Sequence, residues 1–116
     1  MVGISYQKVF QEGIDKANQK AKTDPKIKSA LEKYDGRTFV FNVTNDAVYV
    51  FKISRDEVKL EVSSPSYPDD MYLEMNKKRA DKLVHHRQVS KVDVIFGNIK
   101  FRNISLEDVN FFKEIL

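Results

Sequence analysis

TFVFNVTNDAVYVFKIS, Thr38 to Ser54, is where the apolar pattern of the chain changes its period. Phe39, Phe41 and Val43 point one way while Val40 and Asn42 point the other, the alternation of a strand rather than a helix. Asn45-Asp46 supplies a turn, and Ala47, Tyr49, Phe51 and Ile53 then share one face of a second strand. After a further turn at Arg55-Asp56, Val58, Leu60 and Val62 alternate with Lys59 and Glu61. Three strands with short turns predict an antiparallel meander.

Upstream the period is helical. Tyr6, Val9, Phe10, Ile14, Ala17 and Ala21 form one stripe opposite Lys8, Glu12, Asp15, Lys16 and Lys20, predicting a helix of about four to five turns. Asp24-Pro25 opens a second helix, with aspartate as N-cap and proline at the first helical position. Its inward residues are Ile27, Ala30, Leu31 and Tyr34, and Asp35-Gly36 stops it.

Downstream, SSPSYPDD is a polar, proline-bearing loop, and Met71, Leu73 and Met75 alternate as a fourth strand. Asn76 caps a helix reaching about Arg87, with Ala80, Leu83 and Val84 inward. A short stretch around Lys91 to Phe96 precedes a fifth strand with Ile99 and Phe101. Ser105 caps a last helix, and Asp108 stands at the capping-box position. The expected class is α+β in two layers: a five-stranded, mostly antiparallel sheet covered on one face by about four to five helices, one domain over residues 1–116.

The last helix is more apolar than a flat sheet requires. With Leu106 at zero degrees and about 100 degrees per residue, Phe111, Ile115, Phe112, Leu116 and Val109 occupy an arc from about 140 to 300 degrees, and Leu106 falls outside it. A helix on one sheet needs a stripe of about 100 degrees. The excess serves a lid over an apolar ligand, an ordinary small core, or a dimer contact.

Composition narrows the function classes. With 116 residues, 32% of them charged, and a net charge of +3, the chain reads as globular and far from a dedicated nucleic-acid binder. The absence of cysteine removes disulfides, thiol nucleophiles and cysteine-bound metal, and together with the lack of a signal-peptide pattern suggests the cytoplasm. The sequons at Asn42 and Asn103 then carry no weight. His85 and His86 are adjacent, hence about 100 degrees apart on a helix and poorly placed to share a metal. Ser63, Ser64 and Ser66 lack a nucleophile elbow, and the four glycines form no phosphate loop. No catalytic group, metal or cofactor is expected, so the chain reads as a non-enzyme.

The ending VIFGNIKFRNISLEDVNFF, Val94 to Phe112, together with LEKYDGRTFVFNV at the passage from second helix to first strand, resembles the sterol carrier protein type-two family. Val94, Ile95 and Phe96 stand where the family has an aromatic pair, Gly97 to Phe101 answers its glycine-led strand, and the resemblance spans about Val9 to Leu116. Asn103 replaces a second glycine, the proline common before the short helix is absent, and Asp93 stands at a usually small position. The resemblance implies a lipid carrier whose last helix closes a tunnel between sheet and helices. The ligand would be a fatty acyl, isoprenoid or sterol-like molecule.

On that reading the candidate lining is Phe39, Phe41, Phe51, Met71, Met75, Val84, Ile95, Phe96, Phe101, Phe112 and Ile115, although each is equally well explained as core. In NKKRADKLVHHRQVSK, the residues Lys77, Lys78, Arg79 and Lys82 are candidates for an anionic headgroup, an acyl-coenzyme A phosphate or a transient anionic membrane surface. A solvated helix face is the plain alternative. Aromatics do not interleave with that run, so nucleic acid is not expected as a partner. The competing function is an interaction or dimerisation module built on the apolar last helix, which leaves monomer and homodimer both open.

Overall fold

The computed structural model describes residues 6–44, 46–62, 70–86, 97 and 99–115. Helix α1, Gln7–Ala21, leads directly into α2, Pro25–Lys33, and then strands β1, Thr38–Val43, β2, Val48–Ile53, and β3, Val58–Val62. Strand β4, Met71–Met75, is followed by α3, Lys77–His86, then β5, Lys100–Arg102, and the last helix α4, Leu106–Ile115. The expected short stretch around Lys91 to Phe96 lies outside the described residues.

Local chemistry explains the boundaries. The Asp24 carboxylate accepts the Lys26 N–H at 2.9 Å, with Pro25 in the first turn of α2 where its missing N–H costs nothing. Gly36 adopts a positive φ of 82°, and its N–H donates to the Ile53 carbonyl, so the helix stop is also the first tie to the sheet. The capping box at α4 forms in both directions. Asp108 N–H donates to Ser105 Oγ at 3.1 Å, and Ser105 N–H donates to the Asp108 carboxylate at 3.0 Å.

The five strands make one sheet in the order β3-β2-β1-β4-β5. β1 pairs antiparallel with β2, β2 with β3, and β4 with β5, while β4 runs parallel to β1. The α+β class and the mostly antiparallel sheet are as expected, with four helices among the described residues. In register, Phe39 meets Phe51 and Met71, and Phe41 meets Tyr49 and Leu73. The helix-side face is therefore apolar across four strands, and these side chains join Phe10, Ile14, Leu31, Phe111 and Phe112 in one contiguous core. Phe10 meets Tyr49 and Phe51 edge-on, at centroid distances of 5.1 and 5.3 Å.

Two details depart from simple alternation. Val9, expected on the inward stripe of α1, is 37% exposed, because it lies at the stripe's margin while Tyr6, Phe10 and Ile14 hold its centre. Val40 and Val50, opposite each other on the far face of the sheet, are fully buried, so the middle of that face is also shielded from water. At the β3 edge, Asn18 of α1 bonds Val58 twice, accepting its N–H at 2.8 Å and donating to its carbonyl at 3.1 Å. The amide stands in for a neighbouring strand there and ties α1 to the sheet.

Candidate functional site

Helix α4 is fastened along one edge. Phe112 stacks on Phe39 with ring centroids 4.0 Å apart, and Phe111 stacks on Tyr34 at 4.3 Å. The Tyr34 hydroxyl donates to Asp108 at 2.5 Å, the Arg37 guanidinium donates to the Asn103 carbonyl at 3.5 Å, and Lys33 pairs with Glu107 at 2.6 Å. The last pair is largely solvent-exposed and contributes little. The Tyr34–Asp108 contact is different in kind. Burial, the bond to Asp108 and that carboxylate's charge together push the Tyr34 hydroxyl well above its ordinary range. For Asp108, burial alone would raise the carboxyl. The bonds from Tyr34 and from Ser105, with the charge of Arg37, outweigh it and hold the carboxyl below its ordinary value.

The opposite edge of α4 roofs a cavity. Leu106 and Val109 face Leu73 and Met75 of β4, with Ile99 and Phe101 leading into and along β5 and Ile104 and Ser105 at the turn between them. The cavity measures about 180 Å³. Among the described residues its only polar lining residue is Ser105, whose hydroxyl already accepts the Asp108 N–H. Leu73, Met75 and Ile99 form a buried floor, whereas Phe101 and Leu106 at the rim are 55% and 73% exposed. The result is an apolar recess open at one side, formed where the backbone turns through Asn103 at a positive φ of 56°. Asparagine tolerates that conformation better than most side chains, which answers its standing in a glycine position.

The residues named from sequence divide accordingly. Met75 and Phe101 line the recess. Phe39, Phe41, Phe51 and Phe112 are buried in the ring-packed core beside it, Met71 is fully buried, and Val84 is half-buried against the same core. Ile95 and Phe96, and the side chain of Ile115, lie outside what the structure describes. Leu73, Ile99, Ile104, Leu106 and Val109 complete the lining, unselected by the sequence pattern. Leu73 shares the alternating face of Met71 and Met75 and was within reach of it. Leu106 was hidden by its own position: placed just off the apolar arc of α4, it extends that arc toward the recess.

The basic candidates sit on α3. Lys77, Lys78 and Lys82 are exposed and Arg79 is half-buried. Asp81 on the same helix accepts a hydrogen bond from Tyr6, whose hydroxyl is raised by burial and by that carboxylate. Tyr6 in turn donates its N–H to the Tyr49 hydroxyl at 3.0 Å, and Tyr49 donates to the buried Asp46. This chain of bonds pins α3 and α1 to β2 without opening onto the recess. Among the described residues no three histidine or acidic side chains are grouped to hold a metal, and no helix is long and apolar enough to cross a membrane.

No protein-family model and no curated protein matches the sequence. Solved structures do match the fold. The apo form of sterol carrier protein 2 from Yarrowia lipolytica is 17% identical and superposes with a TM-score of 0.62, over 92% of this chain and 93% of that one. A structure described as a UbiJ-SCP2 ubiquinone synthesis protein is 13% identical, with a TM-score of 0.61 over 93% and 92%. The sec-alkylsulfatase Pisa1 from Pseudomonas sp. matches 74% of this chain with 14% of its own, at 13% identity and a TM-score of 0.55. Coverage of both chains end to end by two of these structures shows that this chain has the sterol carrier protein 2 fold.

Proposed function

We propose that the chain is a non-catalytic carrier domain that holds the end of a fatty acyl or isoprenoid chain between β4, β5 and the first turns of α4. The observation that carries this reading is the recess of about 180 Å³, walled among the described residues by seven apolar side chains and one serine. Such a site has no charge to offer a reacting group and a full set of surfaces to offer a hydrocarbon. The fold supports the same reading, since one structural neighbour is named as a sterol carrier and another as a ubiquinone synthesis protein.

Size favours a chain over fused rings. An apolar cavity of about 150 Å³ accommodates one benzene ring, so this one takes roughly six to eight carbons. At about 0.8 kcal/mol per methylene that is about 5–6 kcal/mol, short of the roughly 8 kcal/mol of micromolar binding. The remainder of a longer chain would then lie across Phe101 and Leu106 at the rim, which accounts for their exposure. A sterol nucleus would require α4 to move. Lys77, Lys78, Arg79 and Lys82 remain candidates for an anionic headgroup, with the cytoplasm as the proposed setting.

Titration of the purified chain with a fluorescent fatty acid tests the proposal. The expected result is saturable binding with a Kd of about 1–100 µM, weakened at least about tenfold by Leu73→Trp or Val109→Trp, both of which fill the recess. Binding unchanged in both folded variants, or no binding by the wild type, would sink it.

A further inference from the structure

The recess has a direction. At its mouth Phe101 of β5, 55% exposed, stands opposite Leu73 of β4. The two strands are antiparallel, so two residues further along each, roughly 7 Å away, come Met75 and Ile99. Both line the recess and are only 2% and 5% exposed, so it deepens toward them. Leu73, Met75 and Ile99 belong at once to the lining and to the contiguous core, and thus form the partition between the two. Two residues after Met75, helix α3 starts and adds Ala80, Leu83 and Val84 to that core. The backbone at Met75 is fixed: it pairs with Val43 in the register of β4 on β1, and its carbonyl accepts the Thr44 N–H at 3.0 Å. Its side chain is the adaptable part of the partition. Leu73 and Ile99 are branched, whereas methionine is unbranched, turns about three bonds and fills irregular space with a polarisable thioether.

We infer that Met75 is the end stop of the recess and sets how many carbons of a hydrocarbon chain it takes. The inference rests on the proposed hydrocarbon site and adds its length selectivity. The chain enters tail first, because among the described residues the one polar lining group, Ser105, is at the exposed end. A carboxylate carried down to Met75 would be buried without a partner. Each methylene laid against the lining strengthens binding about fourfold until the tail meets the thioether. Carbons beyond that number stay over Phe101 and Leu106 at the rim, where they are partly in water and gain less. Met71 provides the internal comparison. It shares the inward face of β4 and is fully buried, yet it belongs to the core and not to the described lining.

Displacement of a bound fluorescent fatty acid by straight-chain saturated acids of about six to fourteen carbons tests the assignment. Wild-type affinity should climb about fourfold per carbon up to about eight carbons, and less than about twofold per carbon thereafter. Met75→Ala removes about three atoms from the end wall, so the break in the series should move about three carbons longer. Met75→Val takes less from the core and should move the break by about one carbon, which keeps the test open if the alanine variant does not fold. Met71→Ala empties a comparable volume of the core and should leave the break where it is. A wild-type series without a break, a break unmoved in folded Met75→Val, or an equal shift in Met71→Ala would overturn the role of Met75 and leave the hydrocarbon site standing. Failure of the wild type to bind the fluorescent acid at all would remove that site, and this inference with it.

Discussion

Asp108 holds three roles at one carboxylate: it closes the capping box of α4, accepts the Tyr34 hydroxyl and lies in the field of Arg37. Because these interactions favour the ionised form, its proton affinity is lower in the folded chain than in the unfolded one. The unfolded state then binds more protons as pH falls through the carboxylate range, so the contribution of Asp108 is complete above about pH 4 and is lost at lower pH. Asp108→Asn is expected to be less stable than wild type at pH 7 by about 1–2 kcal/mol, with the difference shrinking toward pH 3. Urea unfolding at both pH values measures it, and a gap that widens in acid would contradict the assignment. The sequence already marked this residue as the capping partner of Ser105. It could not show Tyr34 as a second partner, because 74 residues separate the two.

At the scale of the element, α4 is defined by how its entrance is built. The turn before it needs Asn103 in a left-handed conformation, and the first turn needs Ser105. Asn103→Gly should be close to neutral, whereas Asn103→Ala should cost about 1–2 kcal/mol, read as a fall in thermal midpoint. Ser105→Ala should cost about 1 kcal/mol and speed amide exchange in the first turn of α4. Equal behaviour of the Gly and Ala variants at 103 would show that backbone strain does not govern the turn. This level of structure was the most legible beforehand, since caps, stops and strand faces depend on residues within a turn or two of one another. The one inward position misjudged in α1, Val9, is an edge position, where a few degrees of helix rotation decide burial.

For the whole molecule, the decisive division runs along α4. Phe112 belongs to the ring-packed core on Phe39, and Leu106, six residues earlier, stands at the open rim. Phe112→Ala should therefore cost about 3–5 kcal/mol, and Leu106→Ser no more than about 0.5 kcal/mol. Chemical denaturation of both variants checks the contrast. Phe111 is only 8% exposed and stacked on Tyr34, so Phe111→Asp would damage the fold itself. Leu106→Asp is the better probe of self-association through α4, because its side chain is accessible.

Sequence alone established the described helices and strands, the N-caps Asp24, Asn76 and Ser105, and the face each strand turns inward. These follow from short-range sterics, hydrogen bonding and the two periods of the apolar pattern. The tertiary structure decided that β4 lies parallel beside β1, since strand pairing joins residues far apart in the chain and one apolar face suits several orders. It also decided where the hollow lies. A void is a property of the walls that fail to meet, and Leu73, Ile99 and Val109 share no pattern until the fold brings them to one cavity.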